Sequence, residues 1–180
     1  MKNSMKKIIL GTLLAISVNI SHAIEVDLNN HDEAFSDLAF MLSNEKMNPV
    51  YKRESLDSEK LDYSLDSLKI IDNYLSEIRK TGFSQTSEEL QFKTILRTGA
   101  YVGETLRKND QSRKWHWIDL EMAKEINPEF FNNMQPSIEL TAILTDGETF
   151  TFPLNKVVKF LNHGAEDSLY FYTISSMQLK

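Results

Sequence analysis

The side chains that could do chemistry in this chain are those of histidine, aspartate, glutamate and serine, because the sequence contains no cysteine. Without cysteine there is no disulfide, no thiolate ligand and no thiol nucleophile. His31, His116 and His163 are far apart in sequence and show no short ligand spacing such as HExxH. A zinc site needs three or four ligands, so we expect neither a metal nor a cofactor.

Glu104 is the candidate for acid–base chemistry. A carboxylate can act as a general base when a second group faces it, and the hypothesis of an enzyme pairs Glu104 with His116 across a helix–sheet junction. A simpler interpretation is a helix-stabilising pair between Glu104 and Lys108, four residues later. Gly-x-Ser-x-Gly, Ser-x-x-Lys and glycine-rich phosphate motifs do not occur in the sequence. The sequence therefore favours a protein without catalytic activity.

The N-terminus has the pattern of a secretory signal peptide. Three lysines precede a short apolar run over 8–20, and small residues at Ser21 and Ala23 fit a cleavage site. The run is too short and too interrupted for a membrane span of about 20 residues. The pattern predicts a cleaved signal peptide at 1–23 and a single domain at 24–180. We expect this domain in the periplasm or outside the cell, with no membrane span after cleavage.

The charge balance is acidic, with 26 acidic and 20 basic residues and a net charge of −6. Cleavage would remove three lysines and no acid, which lowers the net charge to −9. Nucleic-acid binding depends on clustered lysine and arginine, so nucleic acid is disfavoured as a partner. A basic protein partner is compatible with this charge. The sequence does not determine the oligomeric state.

Two amphipathic helices are predicted in the middle of the chain. The first has an apolar stripe at steps of three and four residues, formed by Leu61, Leu65, Leu68, Ile71, Leu75 and Ile78. The second begins at a Thr86-Ser87-Glu88-Glu89 capping box. Its apolar face includes Gly99 and Gly103, which predict a close crossing with another element. Its polar side carries Lys93, Arg97, Tyr101, Glu104 and Lys108. The short link between the helices predicts an antiparallel helical hairpin.

Several β-prone segments follow the second helix. The segment 114–120 alternates, with Trp115 and Trp117 on one side, and 138–144 is rich in β-formers. Asp146-Gly147 is a strong hairpin signal, with 148–152 as the returning strand.

Further helices are predicted on both sides of these segments. One covers 32–44, another starts at Pro153, and the tail after Asp167 is compatible with a helix or a strand, with helix favoured. Together the elements predict an α+β fold, in which the antiparallel helical hairpin packs on a small, mainly antiparallel β-sheet.

Three short motifs carry a resemblance to a family. They are Gly99-Ala100-Tyr101-Val102-Gly103-Glu104, then Trp115-His116-Trp117, and then Phe152-Pro153-Leu154-Asn155-Lys156-Val157-Val158-Lys159-Phe160. In this combination the chain resembles an uncharacterised family of small bacterial proteins, with a G-A-Y-x-G-E helix and an F-P-x-x-K-V-x-K-F strand–helix tail. The resemblance covers roughly 65–172. It implies a single domain and brings no established activity.

These features lead to the prediction of an exported, acidic binding protein of the bacterial envelope. One form of this hypothesis is an immunity protein that neutralises a delivered toxin, because immunity proteins often meet a basic surface with carboxylates. The alternative is a small envelope module that binds a ligand or serves as an accessory protein. The residues nominated for the binding surface are Tyr101, Glu104, Trp115, Trp117 and Lys156.

Overall fold

The structure is a computed structural model, which describes residues 28–178. These residues form seven α-helices and three short strands, whose ends are set by helix caps and turn residues. The helices are α1 (28–44), α2 (Ser67–Lys80), α3 (Glu88–Asn109), α4 (Leu120–Ile126), α5 (Pro128–Phe131), α6 (Pro153–His163) and α7 (Leu169–Gln178). The strands are β1 (His116–Ile118), β2 (Ile143–Thr145) and β3 (Phe150–Thr151). The α+β prediction is confirmed. The signal peptide predicted at 1–23 lies outside the described residues.

The three strands form one antiparallel sheet in the order β1–β2–β3. The predicted hairpin between β2 and β3 is confirmed, because Asp146 and Gly147 form its turn. Asp146 Oδ1 accepts the backbone N–H groups of Glu148 at 3.1 Å and Thr149 at 2.7 Å. Gly147 has φ 97°, a left-handed conformation that glycine adopts without strain.

The strands are shorter than the predicted β-segments. On one side, the Asp119 side chain accepts the backbone N–H of Met122 at 2.8 Å and begins α4 directly after β1. On the other side, Ile138–Leu140 forms a 3₁₀ turn before β2. A helix cap and a 3₁₀ turn therefore shorten the strands, because they take up residues that the alternating pattern predicts to be β-strand.

The C-terminal elements follow their local signals. Pro153 is the first residue of α6, where its missing N–H costs nothing. Gly164 ends this helix with φ 100°, and the tail after Asp167 forms α7, so the helical alternative is confirmed. Among the helices of residues 28–178, none is both long and apolar enough to cross a bilayer.

Helix α3 lies at the centre of the fold. It packs mainly against α6 and also against α7. All its residues over 94–106 except Leu96 are buried. The polar side of the predicted helix is therefore buried at Arg97, Tyr101 and Glu104. The segment between α1 and α2 covers part of this side, since Arg97 Nη1 donates to the carbonyl of Asn48 at 2.8 Å.

Helices α2 and α3 are connected by a short 3₁₀ turn, Phe83–Gln85. Ser67 Oγ on α2 and the Tyr101 hydroxyl on α3 share a buried hydrogen bond of 2.7 Å. The main helix contacts of α2 are with α7 and α6, which also contact α3. The C-terminal helices thus hold the α2–α3 pair together. The cap of α3 is Ser87 rather than Thr86, because Ser87 Oγ accepts the N–H of Leu90.

Helix α2 begins later than its apolar stripe predicts. Leu61 and Leu65 precede it, and Tyr63 between them has φ 61°, which no helix interior allows. Tertiary hydrogen bonds hold this conformation: the N–H of Tyr63 donates to the Tyr101 hydroxyl at 2.9 Å, and Asn109 Nδ2 donates to the Tyr63 carbonyl at 2.8 Å. Contacts with α3 therefore override the local helical pattern.

The close crossing predicted at the two glycines of α3 is confirmed. A Cβ atom on Gly99 would lie 2.6 Å from Leu154 Cδ1 of α6. A Cβ atom on Gly103 would lie 2.2 Å from Cζ2 of Trp117 on β1. Because real Cβ atoms do not approach so closely, only glycine lets α6 and the Trp117 indole reach the α3 backbone.

Gly103→Ala is expected to destabilise the protein by about 1–3 kcal/mol, through overpacking against Trp117. Helix propensity alone predicts the opposite sign, because alanine is better than glycine in a helix by about 1 kcal/mol. Urea unfolding followed by tryptophan fluorescence measures the difference. Trp117→Phe removes the ring atoms that the added Cβ would meet. The double variant should therefore lose less unfolding free energy than the two single variants lose together. A Gly103→Ala variant that is more stable than the parent would contradict the close approach.

Candidate functional site

The candidate site is built around a buried carboxylate on α3. Glu104 is 4% exposed, and its Oε1 accepts hydrogen bonds from Trp117 Nε1 at 2.8 Å and Arg107 Nη1 at 2.7 Å. Glycine at position 103 admits the Trp117 ring to the helix, and the following residue accepts its N–H. Shape and hydrogen bonding therefore fix the indole at one place on α3.

Arg107 connects this carboxylate to two other parts of the fold. Its Nη2 lies 2.7 Å from Asp32 Oδ2 on α1, and its Nε donates to the carbonyl of Trp115 at 3.0 Å. Each nitrogen of the guanidinium group thus has a partner. The planar fork of arginine suits this kind of multiple contact, in which α3 is joined to α1 and to the start of the sheet.

Asp32 completes what we call the buried charge cluster, formed by the buried Glu104 and by the partly buried Asp32, Arg107 and His116, whose side chains are 14%, 20% and 18% exposed. Asp32 Oδ1 accepts the backbone N–H of Trp117 at 2.7 Å, and Asp32 Oδ2 lies 2.8 Å from His116 Nδ1. A single carboxylate on α1 therefore fixes two consecutive residues of β1 as well as Arg107.

Glu104 and His116, the pair proposed for acid–base catalysis, belong to this cluster but are not hydrogen-bonded to each other. Arg107 and Asp32 lie between them in the chain of hydrogen bonds. The acceptor oxygens of Asp32 and the bonded oxygen of Glu104 hold neighbouring elements in place. This arrangement stabilises the interface between α1, α3 and β1.

A second buried carboxylate lies at the end of α3. Asp110 Oδ2 accepts hydrogen bonds from Trp115 Nε1 at 2.9 Å and Arg113 Nε at 3.0 Å, while Oδ1 accepts from Ser112 Oγ at 2.6 Å. Burial raises the pKa of Asp110, but the hydrogen bonds from Ser112 and Trp115 and the charge of Arg113 outweigh it. The pKa therefore lies below its ordinary value.

An open cleft of about 590 Å³, which we call the α3–β1 cleft, lies above these two carboxylates. The residues lining it come from the end of α3 and the connection to β1, and four of the eight are cations. They are Glu104, Arg107, Lys108, Gln111, Ser112, Arg113, Lys114 and Trp115. The cleft is therefore a basic region on an acidic protein.

The structure brings together three of the five nominated residues. Glu104, Trp115 and Trp117 lie in or beside the buried charge cluster, and both rings are at most 2% exposed. Tyr101 is fully buried and stacks on Tyr63 at a centroid distance of 4.7 Å.

These four side chains are interior because they fill the contacts of α3 with β1 and with the segment before α2. Of the four, Glu104 and Trp115 also line the α3–β1 cleft. The fifth, Lys156, is half-buried elsewhere on α6, where its Nζ lies 2.6 Å from Asp167 Oδ1.

Sequence reasoning missed Asp32 and Arg107. The Glu104–Arg107 spacing of three residues is a local signal for a helical ion pair. The pairing of Asp32 with His116 joins residues 84 positions apart and has no local signal.

A different surface feature is the outer face of α1, a shallow groove formed by Asp37, Phe40, Met41, Asn44 and Glu45. Phe40 is 59% exposed and Met41 is 38% exposed. The opposite side of α1 is buried through Phe35, Ala39 and Leu42, and Phe35 stacks on Trp117 at 4.5 Å. Helix α1 therefore carries apolar residues on its outer side as well as on the side that faces the core.

The loop after α1 extends this outer face. Met47 is 94% exposed, and its backbone N–H donates to Glu45 Oε1 at 2.6 Å. The same oxygen accepts the N–H of Asn48, and these backbone hydrogen bonds lower the pKa of Glu45. On the other side, Arg97 holds the carbonyl of Asn48. Met47 is thus presented to solvent on a loop whose backbone is held at several points.

No protein-family model matches this chain, and neither a curated protein nor a solved structure is detectably similar to it. The family resemblance of the three short motifs therefore stays a prediction. Within residues 28–178, no three histidine, aspartate or glutamate side chains come together in a way that could hold a metal ion.

Glu104→Gln is expected to destabilise the protein by about 1–3 kcal/mol, because it removes one of the two carboxylates that compensate the charge of Arg107. The matched control is Glu121→Gln, which changes a 75% exposed partner of Lys124. Such a surface pair contributes at most about 1 kcal/mol. Urea unfolding compares the two variants. Equal losses of stability would contradict a structural role specific to the buried charge cluster.

Asp110 gives a prediction about pH. Because its pKa is lowered in the folded state, it stabilises the fold above its unfolded pKa, near the ordinary value of 3.8, and this contribution is lost as the pH falls through the folded value. Asp110→Asn should therefore be least stable relative to the parent near neutral pH, with the difference narrowing below about pH 4. Unfolding free energies from about pH 6 to pH 3 measure this. A difference that does not change with pH would contradict it.

Proposed function

We propose that this chain is an exported, non-catalytic binding protein of the bacterial envelope whose outer α1 face binds a basic protein, as an immunity protein binds a delivered toxin. The observation that carries the proposal is the outer face of α1, with its exposed apolar residues and adjacent carboxylates. The signal-peptide pattern at 1–23 supports export.

The apolar part of this face is not needed for folding. The inner side of α1 already fills the core, while Phe40, Met41 and Met47 remain 59%, 38% and 94% exposed. Phe40 and Met41 line one groove, and exposed apolar side chains grouped on a surface are typical of an interaction site. Aromatic and methionine residues are also enriched at protein interfaces.

The charged part of the face determines the kind of partner. Asp37 and Glu45 line the groove beside Phe40 and Met41. Within residues 28–178 neither carboxylate forms a salt bridge with lysine or arginine, although the charge of Arg97 also lowers the pKa of Glu45. The hydrogen bonds that lower the pKa of Glu45 keep it ionised near neutral pH. These charges, together with the net charge of the chain, would steer a basic protein towards the groove.

The buried charge cluster supports binding rather than catalysis. Asp32 and Arg107 use their polar atoms to join α1, α3 and β1, and Glu104 Oε1 accepts hydrogen bonds from Trp117 and Arg107. The same contacts fix the orientation of α1 and hold its outer face towards solvent. The interior thus supports a rigid docking helix.

Phe40→Ser and Met47→Ser are expected to weaken partner binding at least about tenfold, because exposed apolar anchors carry most of the energy of an interface. The matched control is Phe171→Ser, which removes a 68% exposed aromatic ring from α7. The measurement is quantitative affinity capture from the native envelope with the mature chain as bait. Capture should weaken as salt is raised, and the captured protein should be basic.

Two results would contradict the proposal. One is capture of the same protein in equal amount by the parent, the α1 variants and the control. The other is specific capture, through Phe40 and Met47, of a strongly acidic protein. A thermal unfolding curve for each variant establishes that the α1 substitutions leave the fold intact, as expected for exposed side chains.

A further inference from the structure

The α3–β1 cleft contains two kinds of cation. Arg107 pairs with Asp32 and Glu104, and Arg113 pairs with Asp110 and, at 4.0 Å, with Asp146. Lys108 and Lys114 also line the cleft, and both are exposed. The carboxylates beside the cleft are thus paired with the two arginines, whereas within residues 28–178 neither Lys108 nor Lys114 forms an ion pair.

The ammonium group of Lys108 contacts an aromatic ring and no carboxylate. Its Nζ lies 4.3 Å from the centroid of the Tyr63 ring, a contact that attracts the cation but adds no counter-charge. Tyr63 is in turn held by stacking on Tyr101 and by the hydrogen bond from Asn109 to its carbonyl. One wall of the cleft therefore carries an ammonium group on a rigid aromatic support.

Arg113 adds an independent observation on the same cleft. Its Nε donates to Asp110 and its Nη2 donates to the carbonyl of Ser176 at 2.5 Å, but its buried Nη1 has no acceptor. Buried N–H groups in folded proteins nearly always have a partner. Arg113 lines the cleft, and an acceptor bound beside it there would satisfy this donor.

We infer that the α3–β1 cleft binds a small molecule through an oxyanion, that is, a phosphate or carboxylate group held between Lys108 and Lys114. Lysine ammonium groups bind phosphate as point charges, and they attract an anion within a Debye length of about 8 Å at physiological salt. A long polyanion would extend beyond this region and meet the net negative charge of the chain. The ligand is therefore small. This site is separate from the outer face of α1 and does not depend on the partner proposed there.

The test uses pyrophosphate and citrate as probes of the two oxyanion classes, titrated into the mature chain at low salt and followed by calorimetry. We expect saturable binding of one molecule per chain, weakened as salt is raised. The double variant Lys108→Gln/Lys114→Gln should weaken binding at least tenfold. The matched control is Lys159→Gln, which neutralises an exposed lysine on α6, outside the cleft.

The outcomes separate the sources of the ligand. Binding of pyrophosphate alone assigns a phosphate compound, binding of citrate alone assigns a carboxylate, and binding of both assigns any small oxyanion of this size. Backbone amide shifts confined to Gln111 and Ser112 and their neighbours would place the probe in the cleft. The inference is overturned if neither probe binds saturably, or if Lys159→Gln weakens binding as much as the double variant.

Discussion

The carboxylate of Asp32 is the contact on which the arrangement of this protein depends. It accepts the Trp117 N–H, lies against His116 Nδ1, and pairs with Arg107, which also binds Glu104. Burial of ions costs several kcal/mol per group, and the cost is offset only when their polar atoms have partners. Because these partners come from α1, α3 and β1, the cluster is satisfied only when all three elements are in place.

The surface features follow from this interior. Asp32 and Phe35, which stacks on Trp117, set the rotation of α1 about its axis. This rotation leaves Phe40 and Met41 on the outer side beside two carboxylates. At the other end of the cluster, Arg107 is neutralised by its partners, so the charge of the α3–β1 cleft comes from the lysines around it. The outer face of α1, which is acidic and apolar, and the basic α3–β1 cleft thus lie at opposite ends of the contacts made by the buried charge cluster.

Local signals in the sequence predict the elements well. The Asp146-Gly147 turn, Pro153 at the start of α6 and the glycines of α3 each act through the backbone of their own segment.

The failures have tertiary causes. Tyr63 leaves the helical pattern because α3 holds its backbone. The polar side of α3 is buried by segments far away in sequence, and for the same reason the residues nominated for a surface are largely interior. Asp32 and His116 meet only in the folded chain.

A double-mutant cycle between Glu104→Leu and Arg107→Leu measures the central claim most directly. If the two groups are coupled, Arg107→Leu leaves Glu104 without a cation and Glu104→Leu leaves Arg107 with Asp32 alone, whereas the double variant removes both charges of the pair. In urea unfolding, the double variant should then lose about 1–3 kcal/mol less unfolding free energy than the two single variants lose together. Strictly additive losses would show that Glu104 and Arg107 act independently, and would contradict a single coupled charge cluster at this end of α3.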